Sequence, residues 1–155
     1  MPHLLLICCG NSVHNDDAIG PAAARLLHRF CTGPEVEILT VHQLTPELME
    51  PIGRSSRVIF VDAAVGGTPG AMEEREIRAD AAAAAFTHSA TPEGLMAGAR
   101  ALYGAAPAAT LITVAGANFE FGESLSEAAR EGVARAVARI ASLCEGVYTS
   151  PGESQ

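Results

Sequence analysis

The side chains with the most chemical potential fall in three short stretches: Asp16 and Asp17 in CCGNSVHNDDAIG, Asp62 in RVIFVDA, and His88 in AAFTHSATPEG. Two carboxylates and an imidazole make a mixed oxygen and nitrogen set that suits zinc, nickel or a similar divalent ion, with coordination positions left for water and substrate. Each residue also has a plainer reading. Adjacent acids that open a helix commonly cap it, here with Asp16 as N-cap and Asp17 at the first helical position. An aspartate at a strand end often organises the next turn by accepting backbone N–H groups, and a loop histidine is usually just solvated. Two features weigh against the plain readings. The Gly10-Asn11 turn and His14 make the first loop richer than capping requires, and Asp62 is followed by Ala63, Ala64 and Val65. Those three residues offer few partners to a carboxylate near a core edge.

Several neighbours are candidates for touching a substrate rather than a metal. Gly10, Asn11 and Asp16 share the first loop, and His42 directly follows a strand in VHQLTPEL, where it can line the same rim. Cys8 and Cys9 raise the alternative of a thiol peptidase, but apolar strand neighbours normally keep cysteine buried and inert. The remaining cysteines, Cys31 and Cys144, complete no C-x-x-C or zinc-finger spacing, so neither a disulfide framework nor a structural zinc site is expected. A nucleotide-binding enzyme is disfavoured as well. The loop lacks G-x-G-x-x-G and G-x-x-x-x-G-K-[ST], and its paired carboxylates would repel a phosphate.

The elements that must position these residues alternate between short apolar runs and longer Ala-rich amphipathic stretches, the pattern of an α/β protein. Strands are expected at 3–9, 35–41, 57–63 and 110–115, with a charged edge strand at 72–78. Helices are expected from the paired aspartates to Phe30, near Met49 after Thr45-Pro46-Glu47, and from Thr91-Pro92-Glu93 to Tyr103 with a stop at Gly104. Ser124 or Ser126 caps the last helix, whose Leu125, Ala129, Val133, Ala136, Val137 and Ile140 fall on one face. In open α/β sheets ligands bind at the carboxyl ends of the strands. Three segments qualify: the loop CCGNSVHNDDAIG after the first strand, Asp62 at the end of the third, and His88 in the loop before the Pro92 helix.

Composition narrows the class. Of the 155 residues, 48% are hydrophobic and 18% are charged. Such a chain can bury a core as one domain, expected over 1–147 with a frayed tail at 148–155. The net charge of -8, with ten basic residues that are all arginine, supplies no basic stripe, so nucleic acid is not an expected partner. The apolar start HLLLICC is too short to span a membrane and lacks a basic flank and a cleavage site, which leaves the cytoplasm as the expected location.

Taken together, CCGNSVHNDDAIG resembles the G-x-G-N…D-[DE]-x-x-G signature of the nickel–iron hydrogenase maturation endopeptidases. VIFVDAAVGGTPG is similar to that family's strand-end aspartate and glycine-containing loop, FTHSATPEGLMAGARALYGAAP to its histidine loop and following helix, and GESLS to the segment before its last helix. Cys8 stands where the first motif glycine falls, and Asp17 where some members carry glutamate. The resemblance implies a phosphorylase/hydrolase-like three-layer α/β/α sandwich around a five-stranded, mostly parallel mixed sheet. It implies a metal-binding trio of Asp17, Asp62 and His88, with the two aspartates as catalytic groups. It further implies a monomeric metal-dependent endopeptidase that removes the C-terminal extension of a hydrogenase large-subunit precursor after nickel insertion. The nickel would be carried by the substrate, with zinc-like ions able to substitute in vitro. A non-catalytic nickel-binding maturation chaperone or adaptor, using the same trio, is the alternative from a different class.

Overall fold

The computed structural model describes residues 3–31, 33–79, 90–104 and 106–148. Its strands are β1 (Leu4–Cys9), β2 (Val36–Val41), β3 (Arg57–Ala64), β4 (Met72–Ile77) and β5 (Ala108–Ala115). Its helices are α1 (Ile19–Phe30), α2 (Met49–Gly53), α3 (Pro92–Tyr103) and α4 (Glu127–Tyr148). The strands form one sheet in the order β2-β1-β3-β5-β4, in which only β4 runs antiparallel.

The residues account for these elements. LLLICC is buried along its whole length, as expected of a central strand covered on both faces. β4 carries Glu73, Glu74, Arg75 and Glu76 at the sheet edge, where charges discourage pairing with another chain. Helix α3 starts with Thr91, whose side chain accepts from the Gly94 N–H at 3.0 Å. Pro92 follows at the first position. The helix ends at Gly104, whose positive φ gives the left-handed conformation that glycine adopts without strain. Ser126 caps α4 by accepting from the Ala129 N–H at 3.1 Å, as N-cap hydroxyls do. The buried face of α4 is the one expected, Ala129, Val133, Ala136, Val137 and Ile140. That helix continues through Tyr148, and the rest of the expected tail lies outside the described residues.

Side-chain alternation divides the interior into two cores. Leu4, Leu6, Cys8, Ile59, Val61, Ile112 and Val114 face α1 and α4. Leu5, Ile7, Val58, Phe60 and Ala109 face α2 and α3. The molecule is thus a three-layer α/β/α sandwich around a five-stranded mixed sheet. Among the described residues, no helix is long and apolar enough to cross a membrane.

From β1 the chain moves first to one side of that strand and then to the other. The α1 crossover leads to β2 on one side, and the chain then returns through α2 to β3 on the other. This reversal opens a crevice at the carboxyl ends of β1 and β3, the place where open α/β sheets bind ligands. Close packing of α1 on the end of β1 keeps the crevice narrow. A Cβ at Gly20 would lie 2.1 Å from the Cys9 carbonyl oxygen, and one at Gly10 would lie 2.0 Å from the Asp17 carbonyl oxygen. Gly20→Ala should therefore force helix and strand apart and cost roughly 2 kcal/mol of stability in urea unfolding, by the penalty for overpacking. A variant as stable as the parent would show that the contact yields freely.

Candidate functional site

Asp17 and Asp62 meet at the crevice. Asp17 lies in the 3-10 turn Asn15–Ala18, which follows the β1 loop, and accepts from the Asn11 backbone N–H at 3.0 Å. Asp62 sits near the end of β3 and accepts from the Ala63 N–H at 2.7 Å. Burial, opposed by that hydrogen bond and reinforced by the Asp17 charge, pushes the Asp62 carboxyl up to about 6. Among the described residues neither aspartate belongs to an ion pair. Both carboxylates are half-buried, and the Asp17 charge adds to the cost of ionising Asp62.

Beside Asp62 lies a cavity of about 110 Å³ lined by Cys9, Leu44, Phe60, Pro92 and Thr113, among others. Its floor follows from register. Asp62 is opposite Thr113 on β5, and Cys9 continues the β1 face that carries Ile7 opposite Phe60. All of these side chains point towards the α2/α3 layer. Pro92, the first residue of α3, closes one wall. The volume holds three or four waters, at roughly 30 Å³ each, or one side chain of a bound peptide. A larger cleft of about 680 Å³ opens at the other end of the strands beside Arg57, Glu74 and Arg75, remote from both aspartates.

Cys9 and Thr113 join the cavity although neither counts among the expected site residues. Period-two alternation from Asp62 and its strand partners would have marked both. The Cys9 thiol donates to the His42 carbonyl at 3.6 Å. Burial, with the charges of Asp62 and Asp17, pushes its pKa up to about 12. It stays protonated at neutral pH, which removes the basis for a cysteine nucleophile.

The structure corrects the expectation for Asp16. It does not cap α1, whose N-cap is Ala18 with no side-chain hydrogen bond. Its carboxylate is instead fully buried, with Oδ2 accepting from Ala117 N–H at 2.7 Å, Asn118 N–H at 3.1 Å and the Ser126 hydroxyl at 2.7 Å. Oδ1 accepts from the Ser126 N–H at 2.7 Å. These oxygens are committed to the loop between β5 and α4, so Asp16 is closed to the substrate contact assigned to it. Burial alone would raise its pKa, but the bonds from Ser126, Ala117 and Asn118 outweigh that and hold it below the usual value.

The other expected residues are distributed around the rim. Gly10 makes the tight approach to Asp17. Asn11 uses its side chain to accept from the Val13 N–H at 3.1 Å, an Asx-type turn. Neighbouring Asn15 adopts φ of 45°, held there as its side chain bonds Glu120 and Ser124. Asparagine is among the few residues that visit this region readily. His14 packs on Phe121 with ring centroids 5.6 Å apart. His42 is exposed just past β2 and is tied to the site through its backbone carbonyl. His88 lies outside the described residues. Among those described, no group of three or more His, Cys, Asp or Glu side chains could hold a metal.

The same α/β/α fold is found in several solved structures. The [NiFe] hydrogenase maturation protease HycI from Thermococcus kodakarensis superposes with a TM-score of 0.75 at 24% identity, covering 92% of each chain. The hydrogenase maturating endopeptidase HybD from E. coli gives 0.75 at 24% identity over 93% of each chain. The solution structure of an endopeptidase from Escherichia coli gives 0.72 at 26% identity over 93% of each chain. No protein-family model matches the sequence, and no curated protein does. The fold is that of the nickel–iron hydrogenase maturation proteases, which the chain resembles over nearly its whole length.

Two outcomes test the electrostatics. Asp16→Ala removes the acceptor of four hydrogen bonds, donated by the exposed Ala117 and Asn118 and the half-buried Ser126, and should cost about 1–3 kcal/mol in denaturant unfolding. Because the Asp16 pKa is depressed in the fold, the stability it contributes is present above its unfolded value and is lost as pH falls through the folded one. The Asp62 pKa is raised, so the sign is opposite: its contribution is full below the unfolded value near 3.8 and is lost as pH rises through about 6. Carbon-detected NMR titration should place the Asp62 midpoint near 6, moving lower in Asp17→Asn. A midpoint at the ordinary aspartate value in the parent protein would contradict the description of this site.

Proposed function

We propose that this protein is an endopeptidase of hydrogenase maturation, which removes the C-terminal extension of a nickel–iron hydrogenase large-subunit precursor once nickel is in place. The reading is supported above all by the convergence of Asp17 and Asp62 at the switch crevice of a fold shared with solved maturation proteases. The third ligand is assigned to His88. It precedes Pro92, a residue of the cavity wall, by four chain positions. Each residue of an extended chain spans at most roughly 3.6 Å, so the tether between the two is short.

The residues present fit a divalent ion. Two carboxylates supply anionic oxygens that, among the described residues, no arginine pairs with, and an imidazole would complete an oxygen and nitrogen set suited to nickel or zinc. The ion is brought by the precursor, as part of the substrate. Bound between such ligands, a divalent ion polarises a scissile carbonyl and acidifies water. Everything else falls to this chain. Asn11 N–H fixes the Asp17 carboxylate, and Ala63 N–H fixes Asp62 through its Oδ1. In the metal-free protein the Asp62 pKa is raised to about 6, so at neutral pH it is mostly ionised and ready to take up a cation or a proton. The small cavity beside it accepts one side chain of the tail being cut and excludes bulk water from the reacting bond.

The same arrangement gates the reaction. Before nickel arrives, two like charges at the crevice gain nothing from an empty precursor site. Insertion supplies the positive charge that makes docking favourable, so cleavage reports that the metal is present. The test is incubation with nickel-loaded and nickel-free precursor, followed by mass measurement of the large subunit. Only the loaded form should lose its tail. Asp17→Asn, Asp62→Asn and His88→Ala should each reduce processing by at least about 10²-fold, by the typical worth of a positioned proton-transfer group, while circular dichroism stays unchanged. Full processing by all three variants would reject the site. Binding of the loaded precursor without any shortening would reject catalysis and favour a nickel-sensing adaptor.

A further inference from the structure

Far from the crevice, α1 and α4 meet through two cysteines that the proposed chemistry does not use. Cys31, at the C-cap of α1, and Cys144, near the end of α4, place their sulfurs 2.6 Å apart in the core shared by the two helices. Both residues are buried, with exposures of 3% and 2%. Non-bonded carbon atoms ordinarily settle about 3.5–4.0 Å apart. Sulfur is no smaller than carbon, so a gap well inside that range brings the two thiols within reach of a bond. The fold holds them there by elements on each side: Cys31 N–H donates to Leu27 O at 2.8 Å, and Cys144 continues the buried stripe of Val137 and Ile140.

We infer that Cys31 and Cys144 form a disulfide under oxidising conditions, a reversible clasp between α1 and α4 that is independent of the peptidase reading. With a peroxide as oxidant the chemistry balances. The Cys31 thiolate attacks one peroxide oxygen, the O–O bond breaks, and hydroxide leaves and takes up the proton shed by Cys31, giving water and a sulfenic acid. The Cys144 sulfur then displaces the second hydroxide, which leaves as water with the Cys144 proton. Two thiols and one hydrogen peroxide thus yield one disulfide and two waters. Hydrogen bonding from Cys144 lowers the Cys31 pKa against the opposing effect of burial, which makes Cys31 the attacking sulfur.

The bond would join positions 113 residues apart and close a loop that contains β2, β3, β4 and β5. A loop of that length is the kind whose closure constrains the unfolded chain most. Cys8 and Cys9 are different. They are adjacent on β1, point to opposite faces and have thiols pushed up to about 12, so they should remain reduced.

The test uses the full chain, reduced, desalted, exposed to hydrogen peroxide and then unfolded in iodoacetamide. The expected product is about 2 Da lighter than the reduced protein before alkylation and takes two carbamidomethyl groups instead of four, as one disulfide consumes two hydrogens and two thiols. Peptide mapping should join the segments carrying Cys31 and Cys144. The melting temperature should rise by roughly 10 °C, reversibly with reductant, as closure of a loop this long implies. Cys31→Ser and Cys144→Ser should each abolish both the bond and the shift. Four alkylated thiols, a bond that involves Cys8 or Cys9, a disulfide between two molecules, or oxygen addition without cross-linking would each overturn the assignment. The parent protein alone decides these outcomes should either variant fail to fold.

Discussion

The Asp16 carboxylate holds the site together from beneath. It has no exposure to solvent, and its two oxygens accept four hydrogen bonds from Ala117, Asn118 and Ser126. Through them the loop after β1 is fastened to the loop after β5 and to the start of α4, which Ser126 caps in turn. An isolated buried carboxylate would be very costly, and this one is tolerable because every bond to it is charge-assisted. Asn15 adds to the same junction by bonding Glu120 and Ser124. With its neighbour anchored on both sides, Asp17 is left with its side chain turned to the crevice and one backbone N–H to orient it. The adjacent acids therefore divide the labour: one fixes the loop and the other faces the crevice.

Much of the architecture was legible in the residues. Alternation of apolar runs with Ala-rich helices, the Thr91-Pro92 start and Gly104 stop, the Ser126 cap and the charged edge strand all act locally, and local rules read them correctly. The site was legible in part. The positions of Asp17 and Asp62 at strand ends could be read because parallel sheets bind ligands there. The role of Asp16 could not, because what separates it from Asp17 is a set of N–H donors far along the chain, at Ala117 and Asn118. Nothing near an Asp-Asp pair says which carboxylate will be buried. Cys9 and Thr113 are hidden for a related reason. They acquire meaning from register across β1, β3 and β5, and register is a property of the sheet rather than of any one strand.

The Asp62 carboxyl shows how one placement sets several properties at once. Its burial above Phe60, the small apolar neighbours Ala63 and Ala64 and the charge of Asp17 all raise the cost of ionising it. The same features make it a better proton acceptor and a better cation ligand than a solvated aspartate. The fold surrenders some stability near neutral pH to keep it there, a cost commonly found where a protein does chemistry.

Pairing between β1 and β3 matches Ile7 with Phe60, and pairing with β5 sets Asp62 against Thr113 on the far side. Because successive side chains in a strand point to opposite faces, a slip of one position would carry the carboxylate through the sheet into the layer packed by α1 and α4. There it would meet only hydrocarbon, while Val61 turned outward into the crevice. A misaligned molecule would be both unstable and inert, so the alignment that permits the chain to fold is the same alignment that arms it.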